Sequence, residues 1–237
     1  MMSIYGKVRT LYTGSVKTVG DPEAESKMNQ QWETGAFKEK TDKPVFLSEE
    51  GLKGDECADK KNHGGPEKAL FAYSLAHYDE WQRELGNPDI KAGGNGENIS
   101  VIHMDETSVY IGDIYELGEA VVQVSQPRRP CWKPARRHGD IDLAKKIEDS
   151  GRTGWYFRVL KEGKIKAGDT FQLIERPCPD WTIARMNEVL YHNRDNIGLM
   201  ENLRDGEYTP PSWKATLGKL LAGEEIDDSK RLYGPNI

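Results

Sequence analysis

The stretch Val109-Tyr110-Ile111-Gly112-Asp113-Ile114-Tyr115-Glu116-Leu117-Gly118-Glu119-Ala120-Val121-Val122-Gln123-Val124-Ser125-Gln126 decides the fold. β-branched and aromatic residues dominate it, and Gly112-Asp113 and Gly118-Glu119 interrupt it as turns. Such residues suit a pleated, half-buried surface, and glycine-acid pairs let short strands reverse. A β meander is expected from Ile99 to Gln126.

Outward from it, the β character persists. Ile4 to Leu11 alternates apolar and polar residues and reads as a strand, followed by a polar loop to about Lys43. Pro44 to Leu47 and Ala69 to Tyr73 read as short strands, as do Trp155 to Leu160 and Thr170 to Ile174 around the Gly163 and Gly168-Asp169 turns. Lys166 to Leu173 echoes Tyr110 to Leu117, which reuse of one turn in two hairpins explains. Ser74 is placed to cap a helix running to Leu85, and Ile141 to Asp149 makes a second helix stopped by Gly151. Arg176-Pro177-Cys178-Pro179 breaks the β pattern. Beyond it three short amphipathic helices are expected, Thr182 to Tyr191, Asn196 to Leu203 and Ser212 to Leu221, the last capped by Ser212. None is long enough to be stable alone. Glu224, Glu225, Asp227 and Asp228 read as a solvated acidic tail. The reading is a β-rich body to about Arg176 and a small helical appendage.

Composition narrows the function classes. With 237 residues the chain can bury a sizeable core, and its six Trp and ten Tyr supply the bulk. The net charge of -6 argues against bulk nucleic-acid binding. No apolar run approaches the roughly 18 residues of a membrane span, and Met1 to Gly20 lacks a secretory pattern, so a cytoplasmic location is expected. Three widely spaced cysteines, an odd number, fit a reducing compartment better than a disulfide framework.

Against this acidic background Gln126-Pro127-Arg128-Arg129-Pro130-Cys131-Trp132-Lys133-Pro134-Ala135-Arg136-Arg137-His138 stands out, with five Arg or Lys in eleven residues around one cysteine. Neighbouring cations stabilise a thiolate, which is both nucleophile and soft metal ligand. The prolines reduce the loop's conformational freedom. By spacing alone, a solvated basic loop with an incidental thiol fits equally well. His63-Gly64-Gly65-Pro66 could bring backbone N–H groups and an imidazole to an anion, and Gly93 to Asn98 forms a glycine-rich turn before a strand. Gly151-Arg152-Thr153-Gly154 with Arg158 could present cations to a phosphate. No C-x-x-C, H-x-x-x-H, G-x-S-x-G or H-E-x-x-H pattern occurs, which disfavours a closed zinc site and the commonest hydrolases. Cys57, near His63, reads as an incidental small residue, and Cys178 between prolines as structural.

Gly51-Leu52-Lys53-Gly54-Asp55, His63-Gly64-Gly65, Gly96-Glu97-Asn98, Gly112-Asp113, Gln126-Pro127-Arg128-Arg129-Pro130-Cys131 and Gly154-Trp155-Tyr156, in that order, resemble the MOSC domain, the C-terminal domain of molybdenum cofactor sulfurases. The helical tail resembles the three-helix extension of the YiiM-like subgroup, the hydroxylaminopurine-resistance proteins. The resemblance implies a mainly β fold with added helices. A β-barrel-like domain would cover residues 1–176, with its motif core at 44–174, and a three-helix domain would cover 180–223. It implies a molybdenum-cofactor (molybdopterin) reductase of N-hydroxylated nucleobases such as 6-hydroxylaminopurine, a detoxifying activity served by a flavoprotein electron donor. Pyridoxal phosphate binding is a further association. Cys131 would be catalytic and ligate molybdenum, and Arg128 and Lys133 would neutralise cofactor phosphate or pterin groups. His63, Gly64, Gly65, Asn98 and Arg158 would line the cofactor site. The alternative is a sulfur carrier holding a persulfide on Cys131.

Overall fold

The computed structural model describes residues 4–59 and 63–237. Along the first half of the chain run β1 (Ile4–Thr13), β2 (Lys17–Val19), β3 (Trp32–Thr34), β4 (Glu39–Thr41), β5 (Val45–Ser48), β6 (Gly51–Leu52), β7 (Leu70–Ser74), α1 (Ala76–Leu85) and β8 (Ile99–Ile102). The second half adds β9 (Ile114–Leu117), β10 (Ala120–Pro127), α2 (Lys133–His138), α3 (Leu143–Ser150), β11 (Trp155–Lys161), β12 (Gly163–Ile165) and β13 (Thr170–Glu175). Four helices follow, α4 (Ile183–Tyr191), α5 (Ile197–Asp205), α6 (Pro211–Leu221) and α7 (Ser229–Leu232).

The expected meander forms β9 and β10, paired antiparallel from Ala120 opposite Leu117 to Gln123 opposite Ile114. It belongs to a barrel of seven strands in the order β13-β9-β10-β11-β7-β8-β1, closed by pairing of β1 with β13. Among the described residues, only β7 and β8 run parallel within it, with α1 as the crossover. Closure removes the unpaired edges that an open sheet would expose. Tyr115, Phe157 and Phe171 fill the interior, with the two phenylalanine rings stacked at 5.7 Å between centroids. Each contributes roughly 1.5–3 kcal/mol through burial.

The C-terminal helices share this core. Ile183, Met186, Val189, Leu203, Trp213 and Leu217 are buried in one continuous cluster with Val109, Ile111 and Val124 of the barrel. This accounts for the stability of helices too short to persist in isolation. Thr182 caps α4 by accepting a hydrogen bond from the Arg185 amide. Among the described residues, no helix is long and apolar enough to cross a membrane.

Several sequence expectations need correction. The segment read as a polar loop before Lys43 contains the β2–β3 hairpin and β4, which extends the barrel beside β1. These three-residue strands carry no run of apolar alternation, so their backbone pairing leaves no periodic trace. Ser74 does not cap α1; it is buried as the last residue of β7, opposite Val101. Ser212 does not cap α6 either, because that helix starts at Pro211 and Pro210 contributes the first carbonyl. The acidic tail is only partly solvated, since Asp228 accepts from both Arg129 and Arg231. Lys133–His138, read only as a basic loop, is helical.

Candidate functional site

Strand β10 delivers the chain to the site. Beyond Pro127 the Arg128 amide still bonds to the Gly154 carbonyl of the neighbouring segment, at 3.0 Å, so Arg128 leaves the barrel in a fixed direction. Pro130 and Cys131 then turn into α2. The Cys131 side chain faces a cleft of about 680 Å³, within the range of small-molecule sites.

Seven of the eight residues singled out from the sequence line this cleft: Cys131, Arg128, Lys133, His63, Gly64, Gly65 and Asn98. Asn98 fixes the wall through hydrogen bonds of its own. Its carbonyl oxygen accepts from the Phe71 amide at 3.0 Å and its nitrogen donates to Asp55 at 2.8 Å. Asp55 in turn accepts from Lys38 and the Gly14 amide. Gly65 has φ +86°, and a Cβ there would meet nothing within 4 Å, so its bare backbone borders open space.

Arg158 is placed elsewhere. Its guanidinium donates to both carboxylate oxygens of Glu67, at 3.0 and 2.6 Å, and to Gln123 at 2.8 Å, and the residue does not border the cleft. Arg152 likewise faces α1, ion-paired to Glu80 and Glu84 and 3.7 Å over the Trp81 ring. The cations of the Gly151 to Arg158 window therefore serve the frame around the site.

Other cleft residues were missed in the sequence. Cys57 borders it, with its thiol against the carbonyls of Asp59 at 3.4 Å and His63 at 3.1 Å. Tyr156 lines the same space, and burial pushes its phenol up to about 12, so it enters as a neutral hydroxyl. Lys38, Lys68 and Asp55 add charge to the walls. Gly96-Glu97-Asn98 explains itself differently. Glu97 is fully buried and gathers the Tyr78 hydroxyl, the Ser100 hydroxyl and the Gly93 amide, holding the turn that carries Asn98. Cys178 is half-buried in the link between β13 and α4, and its thiol is pushed up by burial.

The thiol of Cys131 is buried, 6% exposed. Burial alone would raise its pKa. The hydrogen bond and field of His63, the guanidinium of Arg128 and the amide of Lys133 outweigh that and hold it at about 6. Arg128 Nη2 lies 3.9 Å from the sulfur, while Nη1 is buried and has no hydrogen-bond partner among the described residues. At neutral pH the group is a thiolate, the form that acts as nucleophile and metal ligand. Alkylation of Cys131 should therefore reach half its maximal rate near pH 6, against about 8.5 for an unperturbed thiol. In Arg128→Gln that midpoint should rise by about one unit, while Arg158→Gln leaves it in place. Peptide-resolved mass spectrometry of iodoacetamide labelling across pH checks both.

A second cavity of about 390 Å³ meets the first at His63, Lys68, Cys131 and Tyr156. Its outer walls include Arg129, Trp132, Ser212, Lys230 and Arg231. The sulfur thus stands between two spaces, one under the barrel end and one under the C-terminal helices. Among the described residues no three His, Cys, Asp or Glu side chains converge as a metal-binding group.

Much of the chain is similar to known proteins. Residues 59–172 match the MOSC domain, and residues 181–224 match the YiiM-like, 3-alpha helix domain. Protein YiiM of Escherichia coli (strain K12) is 36% identical over 230 residues, covering 94% of this chain and 97% of that protein. The chain belongs to the YiiM-like MOSC proteins. The crystal structure of YiiM from Geobacillus stearothermophilus superposes with a TM-score of 0.75 at 34% identity, covering 91% of this chain and 99% of that one. A protein of Gibberella moniliformis (strain M3125 / FGSC 7600) named "Reductase" is 40% identical over 167 residues, which are 69% of this YiiM-like chain and 30% of that longer protein.

Proposed function

We propose that this protein is a molybdenum-cofactor-dependent reductase that removes the N-hydroxyl oxygen from N-hydroxylated nucleobases such as 6-hydroxylaminopurine. The observation that carries this reading is the buried Cys131 thiolate in a cleft that Lys38, Lys68, Arg128 and Lys133 border, where among the described residues no three His, Cys, Asp or Glu side chains converge on a metal site. A metal held there by one protein ligand must bring its remaining donors with it, as a pterin dithiolene does. Soft thiolate donors suit molybdenum by ligand type.

The residues fit such a group. Cys131 would supply the protein ligand, Arg128 and Lys133 the countercharge for phosphate or pterin oxygens, and Gly64 and Gly65 a bare backbone edge. Among the described residues, Nη1 of Arg128 is a buried donor without a hydrogen-bond partner, and a cofactor oxygen would give it one. When bound, the cofactor supplies the two-electron redox chemistry that removal of oxygen requires. The name of the fungal relative supports a reductase role.

The overall change is R–NHOH plus two electrons and two protons to R–NH2 and water, with electrons from a flavoprotein partner. His63, hydrogen-bonded to the thiol and bordering both cavities, would deliver a proton to the departing hydroxyl. His63, Arg128 and the Lys133 amide together would keep Cys131 ionised. The test is coexpression with cofactor supply, followed by pterin analysis and an anaerobic 6-hydroxylaminopurine reduction assay with a flavin reductase. Reduction by protein that carries pterin supports the reading. A protein that gains one sulfur on Cys131, binds no pterin and reduces nothing is a sulfur carrier instead.

A further inference from the structure

Residues 225–237 lie beyond both matched family segments, yet they grip the loop that carries Cys131. The Arg231 side chain donates to the Pro130 carbonyl at 2.7 Å, and the Arg231 carbonyl accepts from the Trp132 amide at 2.9 Å. The peptide groups on either side of Cys131 are therefore both held by one residue about a hundred positions away in sequence. Arg231 is itself anchored, with Nη2 2.6 Å from Glu148 of α3 and Nε 3.0 Å from Asp228, which also receives Arg129 at 3.0 Å. Past α7 the chain closes over Trp132. Gly234 takes φ +52°, where a Cβ would lie 2.3 Å from Trp132 Cδ1, and Asn236 accepts from Arg136 of α2 at 2.6 Å.

Arg231 and Trp132 border the second cavity and not the main cleft. None of these contacts neutralises the thiol, whose electrostatic neighbours are His63, Arg128 and the Lys133 amide. Their common effect is geometric. A loop with three prolines still has freedom at Cys131 and Trp132, and fixing both flanking peptides removes it before any ligand binds. The planar fork of Arg231 serves three acceptors at once, which a lysine ammonium on a single stem cannot reproduce in that geometry.

We propose that the C-terminal segment 228–236 is a strap that sets the position of the Cys131 loop, with Arg231 as its positioning residue. The proposal stands independently of the reductase reading, because it concerns the loop in the protein free of cofactor. Its test uses the full chain with Arg231→Lys and, to loosen the strap without altering charge, Gly234→Val. The first readout is hydrogen exchange of the peptide spanning 128–133. The second is alkylation of Cys131 relative to Cys178 at one pH, both resolved by mass spectrometry.

Both variants should exchange the Trp132 amide on the order of tenfold faster than wild type, with the peptides of β10 and β11 unchanged. Cys131 should label several-fold faster, while Cys178 keeps its wild-type rate. General destabilisation would quicken both cysteines and every peptide together, and would count against the proposal. Wild-type exchange at 128–133 and a wild-type Cys131 to Cys178 ratio in both variants would overturn it. Should Arg231→Lys fail to fold, Gly234→Val and Asn236→Ala decide by the same two readouts.

Discussion

Cys131→Ser will leave a folded protein that reduces 6-hydroxylaminopurine at least on the order of 10³-fold more slowly than wild type. Serine nearly matches cysteine in size, and its hydroxyl can hydrogen-bond His63 in the same pocket, so the melting temperature should shift little. The chemistry is lost for another reason. A serine hydroxyl stays protonated at neutral pH and is a hard oxygen donor, whereas the site holds a soft thiolate at about 6. On the proposed reading Cys131 is the metal's protein ligand, and its loss should exceed the 10–100-fold typical of residues one layer further out. Steady-state turnover with parallel circular dichroism checks this. A variant that turns over at the wild-type rate would remove the thiolate from the mechanism.

Asp113→Ala should have the largest effect on stability while leaving the cleft intact. Asp113 is fully buried between the meander and the start of the helical region. Arg176 donates to its two oxygens at 2.9 and 2.8 Å, and the Tyr115 hydroxyl donates at 2.7 Å. Arg176 also stacks 3.8 Å over the Tyr110 ring. Removing the carboxylate strands a guanidinium and a buried hydroxyl, which costs about 3–5 kcal/mol when one partner of a buried pair is deleted. For a chain of this size that lowers the melting temperature by about 10 °C. Differential scanning calorimetry of the variant measures it. A change below about 0.5 kcal/mol, the range of ordinary surface substitutions, would show that the pair contributes nothing net.

The part of the fold written in local pattern was legible. Val109 to Gln126 alternates and turns as its residues dictate, and β9 and β10 form there. The helix end at Gly151 was readable because it needs left-handed backbone, and the residue adopts it. Cys131 was legible because cations surround it within one short window.

What was not legible depends on partners distant in sequence. Arg158 offers the same charge to the eye as Arg128, but Glu67, 91 positions earlier, turns it away from the cleft. Asp228 reads as one carboxylate of an acidic tail until Arg129, 99 positions earlier, is seen beside it. α2 buries only Pro134 and Ala135, so its hydrophobic stripe is too short to register a period. Cys57 bears on the site through the carbonyls it meets, which no spacing rule announces.

The central claim is that Cys131 holds the molybdenum of a bound pterin cofactor. It is tested most directly by metal analysis of wild-type and Cys131→Ala protein, both coexpressed with cofactor supply and purified identically. The account predicts close to one molybdenum per wild-type chain and a loss of most of it in the variant. Equal molybdenum in the two proteins, or none in either alongside full reductase activity in the wild type, would contradict it.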